Sequence, residues 1–420
     1  MSTPPAARSA MTPVVVVMTL TLLLGIQPIS TDLYLPALPT LQRELAASVG
    51  AAQLTLSALI ICFGLGQLVC GPLADRFGRR PVLLVGMALY TVASLLGALA
   101  QDIAALIVWR ALQGASMAAA VTCGRSIVRD LFQPAEGARV MSRALGGLGV
   151  IAMLSPVLGG ALVQTLSWHA ALLMTALFGA GTFVFIALRF TETVPVRNRR
   201  ATQPSQLLRN WGDVLAHPTF RAWTALLCCS WGGLFFVLAG SSFVFINLLG
   251  TSRVEYGLIL ATSSMAYIAG TLLCRRLLLR HGLRGAVRRG AWFSLAGGVG
   301  MAGLSLAGVQ TVWAIMLPQL LFALGHGIHQ PCGQAGVVGP FPEKAGTAAS
   351  VSGFAMMVTA FAISLWLGRS PLHTVYPVTL GVGLFSIVLS IVAWTLVQRH
   401  GDPAAAWTTA PAVGAGAASR

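Results

Sequence analysis

The chain is dominated by long apolar runs in place of the period of an amphipathic helix or a half-buried strand. Stretches 9–31, 45–74, 81–101, 222–252, 256–274, 345–368 and 370–398 contain no charged residue. Each is close to the roughly 20 residues that carry one helix across a bilayer. Two further stretches, 144–188 and 290–342, are about twice as long, with turning points at Ser167-Trp168-His169 and Ala307-Gly308-Val309-Gln310, so each predicts two spans. Segment 103–124, apolar except for Arg110, predicts the last of twelve. The runs are too long for the alternating strands of an outer-membrane barrel, and unpaired strands cannot cross lipid.

The longest polar segment holds Arg197-Asn198-Arg199-Arg200 and divides the spans six and six. The predicted fold is therefore an all-α polytopic membrane protein of two six-helix bundles. Residues 1–190 form the first bundle, 191–218 a cytoplasmic linker, 219–400 the second bundle and 401–420 a disordered tail rich in Ala, Gly and Pro. The first apolar run has no small-residue cleavage site and continues into Asp32-Leu33-Tyr34, so it is expected to stay as the first span.

Composition excludes the alternatives. The chain is 56% hydrophobic and 9% charged, with a mean hydropathy of +0.79, against about 25% charged residues in a soluble domain. The net charge of +16 does not read as a nucleic-acid footprint, because the arginines stand between apolar runs. With the N-terminus inside, only Arg43, Arg110, Arg253 and Arg369 of the 27 basic residues leave the inner loops and ends. That asymmetry predicts N-in, C-in topology and a multi-pass protein of the bacterial inner membrane. The expected partners are the bilayer and a small-molecule substrate, with no nucleic acid, and a monomer is expected. The seven cysteines lie inside predicted spans without zinc-site spacing, so reduced structural thiols and no metal are expected.

The loop after the second span reads Gly71-Pro72-Leu73-Ala74-Asp75-Arg76-Phe77-Gly78-Arg79-Arg80-Pro81. A turn glycine between an acid and two arginines makes a tight reverse turn whose carboxylate can pair with arginine or cap a helix. The first span ends Ile29-Ser30-Thr31-Asp32-Leu33-Tyr34-Leu35-Pro36, the fourth carries Arg110-Ala111-Leu112-Gln113-Gly114, and the fifth carries Gly149 and then Ser155-Pro156-Val157-Leu158-Gly159-Gly160. The eleventh begins at Phe341-Pro342-Glu343-Lys344-Ala345-Gly346-Thr347.

These motifs resemble the major facilitator superfamily, and within it the bicyclomycin- and chloramphenicol-resistance (Bcr/CflA) branch of drug:proton antiporters. The resemblance covers nearly the whole chain. It implies an inner-gate motif of Gly71, Asp75, Arg76, Gly78, Arg79 and Arg80 with Asp130, in which Asp75 braces the halves against Gly346-Thr347. It also implies an antiporter motif of Gly149, Pro156, Gly159 and Gly160, and a part for Arg110 in coupling. Ser155 stands where the pattern has glycine. In the second half, 270–282 keeps the glycines and basic residues of the loop but not the acid, and is expected to act as a hinge.

An ionisable side chain at membrane depth costs at least ~2.5 kcal/mol and is a functional candidate by default. Asp32 and Arg110 stand out as proton-coupling candidates. With the first span ending near Leu41, Asp32 lies about 9 residues, or ~13 Å, below the outer surface, and Arg110 at a matching depth. Tyr34 and Gln113, which flank them, are candidate substrate contacts. So are Phe235, Phe236 and Asn247 on the seventh span and His326 and His329 on the tenth, which lie three apart and thus adjacent on a helix.

The expected function is proton-coupled efflux of small amphipathic compounds by alternating access, with protons as the coupling ion and no cofactor. Its rival is the same fold moving an ordinary metabolite such as a sugar, amino acid or nucleoside. A polytopic membrane transferase would need clustered carboxylates, and no Asp-x-x-Asp occurs.

Overall fold

A computed structural model of the chain describes residues 11–132, 134–194, 197–198, 201–370 and 374–402. Arg8, Arg199, Arg200, Arg420 and most of the expected tail lie outside them. The described residues form helices and connections, with no strand. The first half comprises α1 (Pro13–Thr31), the short α2 (Leu38–Glu44), α3 (Val49–Phe77), α4 (Arg79–Ala98), α5 (Ile103–Leu131), α6 (Pro134–Thr165) and α7 (Trp168–Arg189). Then come α8 (Pro204–Ala216), α9 (Pro218–Ser242), α10 (Arg253–Leu306), α11 (Val312–Val338), α12 (Ala345–Arg369), α13 (Tyr376–Trp394) and α14 (Leu396–His400).

Eleven of the helical runs are long and apolar enough to span a membrane. The predicted twelfth is inside α10, whose 54 residues are two spans joined at Gly282. Gly282 has φ 63° and ψ −176°, a left-handed conformation that suits a residue without Cβ. Of the glycines in the expected hinge, only Gly282 leaves the helix. Gly270 instead lets α11 approach, since a Cβ there would lie 2.2 Å from the Leu324 carbonyl oxygen.

The first span also departs from expectation, because α1 stops at Thr31, well before Leu41. Pro36 has no N–H to donate and disfavours helix in the residue before it. The chain crosses this point as a single 3₁₀ turn, Leu35–Ala37, and restarts as α2 with Pro39 in its first turn. The polar linker holds one helix, α8, begun by Pro204. At the end of α9 the backbone loosens into a π-helical turn, Phe243–Leu248. Asp102 is the exposed N-cap of α5, and the exposed Glu255 completes the Ser252 capping box of α10.

Each bundle packs on its own core, and the bundles meet along two seams, α3 against α12 and α6 against α10. Both seams are tight at the face away from the termini. There Gly50 touches Gly368, Gly160 lies under the Arg253 carbonyl and Gly257 under that of Pro156. Polar clasps accompany them. Gln53 donates to the Ala239 carbonyl (2.6 Å), Ser57 to the Ser364 hydroxyl (2.6 Å) and Arg253 to the Thr40 hydroxyl (3.0 Å). On the terminus side, no hydrogen bond or ion pair among the described residues joins α5 or α6 to α11 or α12. The hydrogen bonds between the halves lie at the far face.

Such packing predicts unequal tolerance of a single methyl group. A Cβ at Gly114 would sit 2.0 Å from the Leu59 carbonyl oxygen of α3, whereas nothing lies within 4 Å of one at Gly181. Gly114→Ala should destabilise the protein by about 1–3 kcal/mol and lower its Tm in detergent. Gly181→Ala should leave Tm unchanged or raise it, because a helix-interior glycine costs about 1 kcal/mol relative to alanine.

Candidate functional site

The break in α1 decides the chemistry of the first half. The amide of Asp32 still bonds to the Pro28 carbonyl, but the amide of Tyr34 turns to Thr31. The Ser30 carbonyl thereby loses its helical partner. Arg110 takes it: Nη2 donates to Ser30 O at 2.9 Å and Nη1 to Gln113 Oε1 at 2.5 Å. Its guanidinium lies 4.0 Å from the centroid of the Tyr34 ring. A cation thus rests on the carbonyl end of a helix and on a π-face, both of which attract positive charge. Arg110 is 1% exposed.

The surrounding hydroxyls are all engaged. Gln113 Nε2 donates to Ser94 Oγ, the Ser30 and Tyr90 hydroxyls share a 2.6 Å bond, and Tyr34 Oη bonds to Thr55. Tyr34 and Gln113 are therefore buried members of a closed network, with none of their surface open to a cavity; they do not line one in this conformation. Arg110 and Asp32 form no ion pair. The carboxylate accepts from the Thr31 hydroxyl at 2.7 Å and is only half-buried.

The antiporter-motif glycines converge on the same place. Gly159 packs under the Leu33 carbonyl, where a Cβ would come within 2.1 Å, and Gly160 under that of Arg253. Ser155, in place of the pattern's glycine, turns its hydroxyl back to the Ile151 carbonyl (2.6 Å) and so demands nothing of a neighbour. Gly149 stands opposite Ile268 of α10, and Pro156 supplies the carbonyl on which Gly257 closes.

In the second half, His326 donates to or accepts from Ser230 of α9 (2.8 Å) between the rings of Trp231 and Tyr267. His329 is fully buried, 3.5 Å from Ser294, with Nε2 unpartnered. Phe235 and Phe236 belong to the bundle interior. Phe236 packs edge-on against Trp366 and Phe385, so it forms no open aromatic wall. Asn247 is exposed in the π-helical turn at the far face. Trp231 and Tyr267, each half-buried, are the second-half aromatics that flank a titratable group.

The loop motif forms a compact ionic knot. Arg79 pairs with Asp75 at 2.6 Å and with Asp130 at 3.1 Å, although Arg79 is 3% exposed. Glu192, absent from the sequence reading, organises it. Its carboxylate accepts from the backbone amides of Arg79 and Arg80, capping the start of α4, and from those of Thr193 and Val194. Gly78 has φ 107°, and a Cβ there would strike Glu192 Oε2. That explains a glycine between Phe77 and Arg79, with Gly71 facing only Thr122. Arg76 reaches Thr202 and Arg80 the Ala187 carbonyl. The Asp75 carboxylate bonds within the first half, with no hydrogen bond to Gly346 or Thr347 of α12 among the described residues. The linker is tethered to the second half by Lys344, paired with Asp213 of α8 at 2.7 Å. The Lys344 hydrogen bond holds the Asp213 carboxyl below its usual range. The bridge is therefore present at neutral pH and is lost only as pH falls through that depressed value.

A family profile described as Major Facilitator Superfamily matches residues 20–366. A Bacillus subtilis protein named "Uncharacterized MFS-type transporter YdgK" is 31% identical over 59% of this chain and 62% of its own length. "Multidrug resistance protein D" of Escherichia coli is 28% identical over 80% of this chain and 83% of its own. The "Chloramphenicol resistance protein" of Pseudomonas aeruginosa is 30% identical over 76% and 75%. Among solved structures, the human organic anion transporter MFSD10 superposes with a TM-score of 0.69 at 17% identity, covering 94% of this chain and 100% of that one.

The ionic knot yields a stability prediction. Removing one partner of a buried ion pair costs about 3–5 kcal/mol. Asp130 is buried beside Arg79 while Asp75 is 43% exposed, so Asp130→Asn should lower the Tm of the purified protein more than Asp75→Asn does. Equal shifts would show that the two carboxylates share Arg79 evenly.

Proposed function

The chain belongs to the Major Facilitator Superfamily, and from that premise we propose that it exports small amphipathic compounds in exchange for protons by alternating access. The relatives named for multidrug and chloramphenicol resistance support the substrate class. The observation that carries the mechanism is the place of Asp32. It is a half-buried carboxylate at the break in α1, beside the glycine contact with α6.

A carboxylate clamped by arginine stays ionised. Here the guanidinium is held by a carbonyl, an amide and a ring, and Asp32 is left without a cationic partner. Protonation changes the charge at the seam by one unit, next to the contacts that close the far face. With the termini in the cytoplasm, the closed far face makes this conformation inward-facing, in which Asp32 releases a proton to the cytoplasm and substrate enters between the halves. Trp231 and Tyr267, around His326, offer a second-half surface suited to flat rings. When the halves rock, Asp75 and Arg79 at the opposite end are placed to meet α12.

Each proton entering down 100 mV supplies about 2.3 kcal/mol, and each pH unit about 1.4. In liposomes with a pH gradient imposed separately from a valinomycin-set potential, the protein should accumulate substrate against its gradient. Asp32→Asn should still bind substrate but lose accumulation. Wild-type accumulation by Asp32→Asn would make that residue structural. Indifference of every substrate to the pH gradient would make the protein a uniporter or couple it to another ion.

A further inference from the structure

The terminus-side end of the second bundle carries charge that the transport reading does not use. Within α10, Arg275, Arg276, Arg280, Arg284, Arg288 and Arg289 flank the Gly282 break. Arg284 is paired with Asp402 (3.2 Å) and bonded to the Gln398 carbonyl (3.2 Å), and Arg289 turns back on Gly285. The Arg288 side chain forms no hydrogen bond or ion pair with any described residue. It borders an open cavity of about 390 Å³ whose other walls are Trp292, Trp394 and Gln398.

The two indoles define what that cavity suits. Their ring centroids are 4.6 Å apart, tilted by 48°, and Trp394 Nε1 donates to the Arg288 carbonyl at 3.0 Å, which fixes the rings to the backbone that carries the arginine. Trp292 is 62% exposed although it stands where α10 turns from arginine-rich to apolar. Tryptophan favours the level of lipid headgroups, where a flat ring with one polar edge is satisfied on both sides. One turn and two turns deeper on α13, Ile391 and Ile387 are exposed, as is Val299 on α10. The column therefore runs from an uncompensated guanidinium, across two indoles, to an aliphatic groove.

We propose that Arg288, Trp292, Trp394 and Gln398 form a binding site for an anionic phospholipid. Arginine presents two parallel N–H donors to a phosphate. The indoles cover the glycerol region, and an acyl chain lies between α10 and α13. A soluble anion would engage the arginine but gain nothing from the rings or the aliphatic groove. The nearby Arg280, Arg289 and Arg399 favour a lipid with net negative charge over a zwitterionic one, since each basic residue near an anionic surface adds about 1 kcal/mol, or roughly fivefold.

The test uses the full chain in phosphatidylcholine vesicles, with brominated phosphatidylglycerol or brominated phosphatidylcholine as quencher of tryptophan fluorescence. The part of the quenching that disappears in Trp292→Phe reports this site. That part should show a several-fold preference for the anionic lipid, falling about fivefold in Arg288→Gln and also in Trp394→Phe. Arg288→Lys should keep most of it, and Arg369→Gln, at the far face, all of it. Tens of millimolar inorganic phosphate at matched ionic strength should not displace the lipid. Equal quenching by both lipids, an unchanged preference in a folded Arg288→Gln, or displacement by inorganic phosphate would each overturn the proposal, the last by making the site one for soluble anions.

Discussion

A guanidinium buried in a membrane bundle without a carboxylate is the constraint around which the first half is arranged. Moving an ion of this size out of water costs several kcal/mol even after relaxation, and Arg110 meets that cost with groups that carry no net charge. The principal acceptor, the Ser30 carbonyl, exists only because α1 stops early. An unbroken helix would have spent that carbonyl on the amide of Tyr34. Arg110 and the prolines that end α1 are thus two parts of one feature, and the ring of Tyr34 is brought over the arginine by the same turn. Because the arginine is held this way through its two terminal nitrogens, Asp32 stays outside the network, two residues beyond the carbonyl that holds the charge.

The glycines of α6 fit the same logic. A chain that leaves helical geometry in lipid must be covered by protein. The turn after Asp32 is covered by backbone, with Gly159 against the Leu33 carbonyl and Gly160 against that of Arg253 in the other half. Any larger side chain at either position would lift α6 away and expose polar backbone. The residues that read as a motif in sequence are therefore those that let three backbones, from α1, α6 and α10, meet beside one acid.

Much of this was legible in the chain, and the reasons differ from part to part. The spans followed from charge-free runs because lipid penalises charge heavily; the turn at 307–310 falls between α10 and α11, and the chain turns at 166–167, one step before the expected Ser167-Trp168-His169, whose last two residues open α7. The loop residues Asp75 and Arg79 lie with Asp130 in one ionic knot within the first half. What stayed hidden depended on contacts distant in sequence. Glu192 caps α4 from more than a hundred residues away, in a segment with no feature beyond one acid. Matched depth does not decide whether Asp32 and Arg110 pair, and in this structure each has a closer partner. Tyr34 and Gln113 were sound as neighbours of that arginine but are consumed by it. Phe236 read as a cavity wall because an aromatic on an apolar helix has no face written into it; its partners Trp366 and Phe385 come from α12 and α13.

The energetic scale of the far-face closure bears on how such a fold moves. Its polar clasps are a few hydrogen bonds, chiefly Gln53 to Ala239, Ser57 to Ser364, Arg253 to Thr40 and the Val254 amide to Gln164, each with a net value of about 0.5–1.5 kcal/mol. The remainder is glycine-to-backbone packing, which in lipid has no hydrophobic drive between helices because the acyl chains are as apolar as the partner. Opening this face therefore calls for a few kcal/mol, whereas separating helices within a bundle would expose the Arg110 network, whose desolvated groups have no other partners. The molecule is weakest along the plane between its halves, held by a few side-chain bonds and glycine contacts, and strongest around its buried cation.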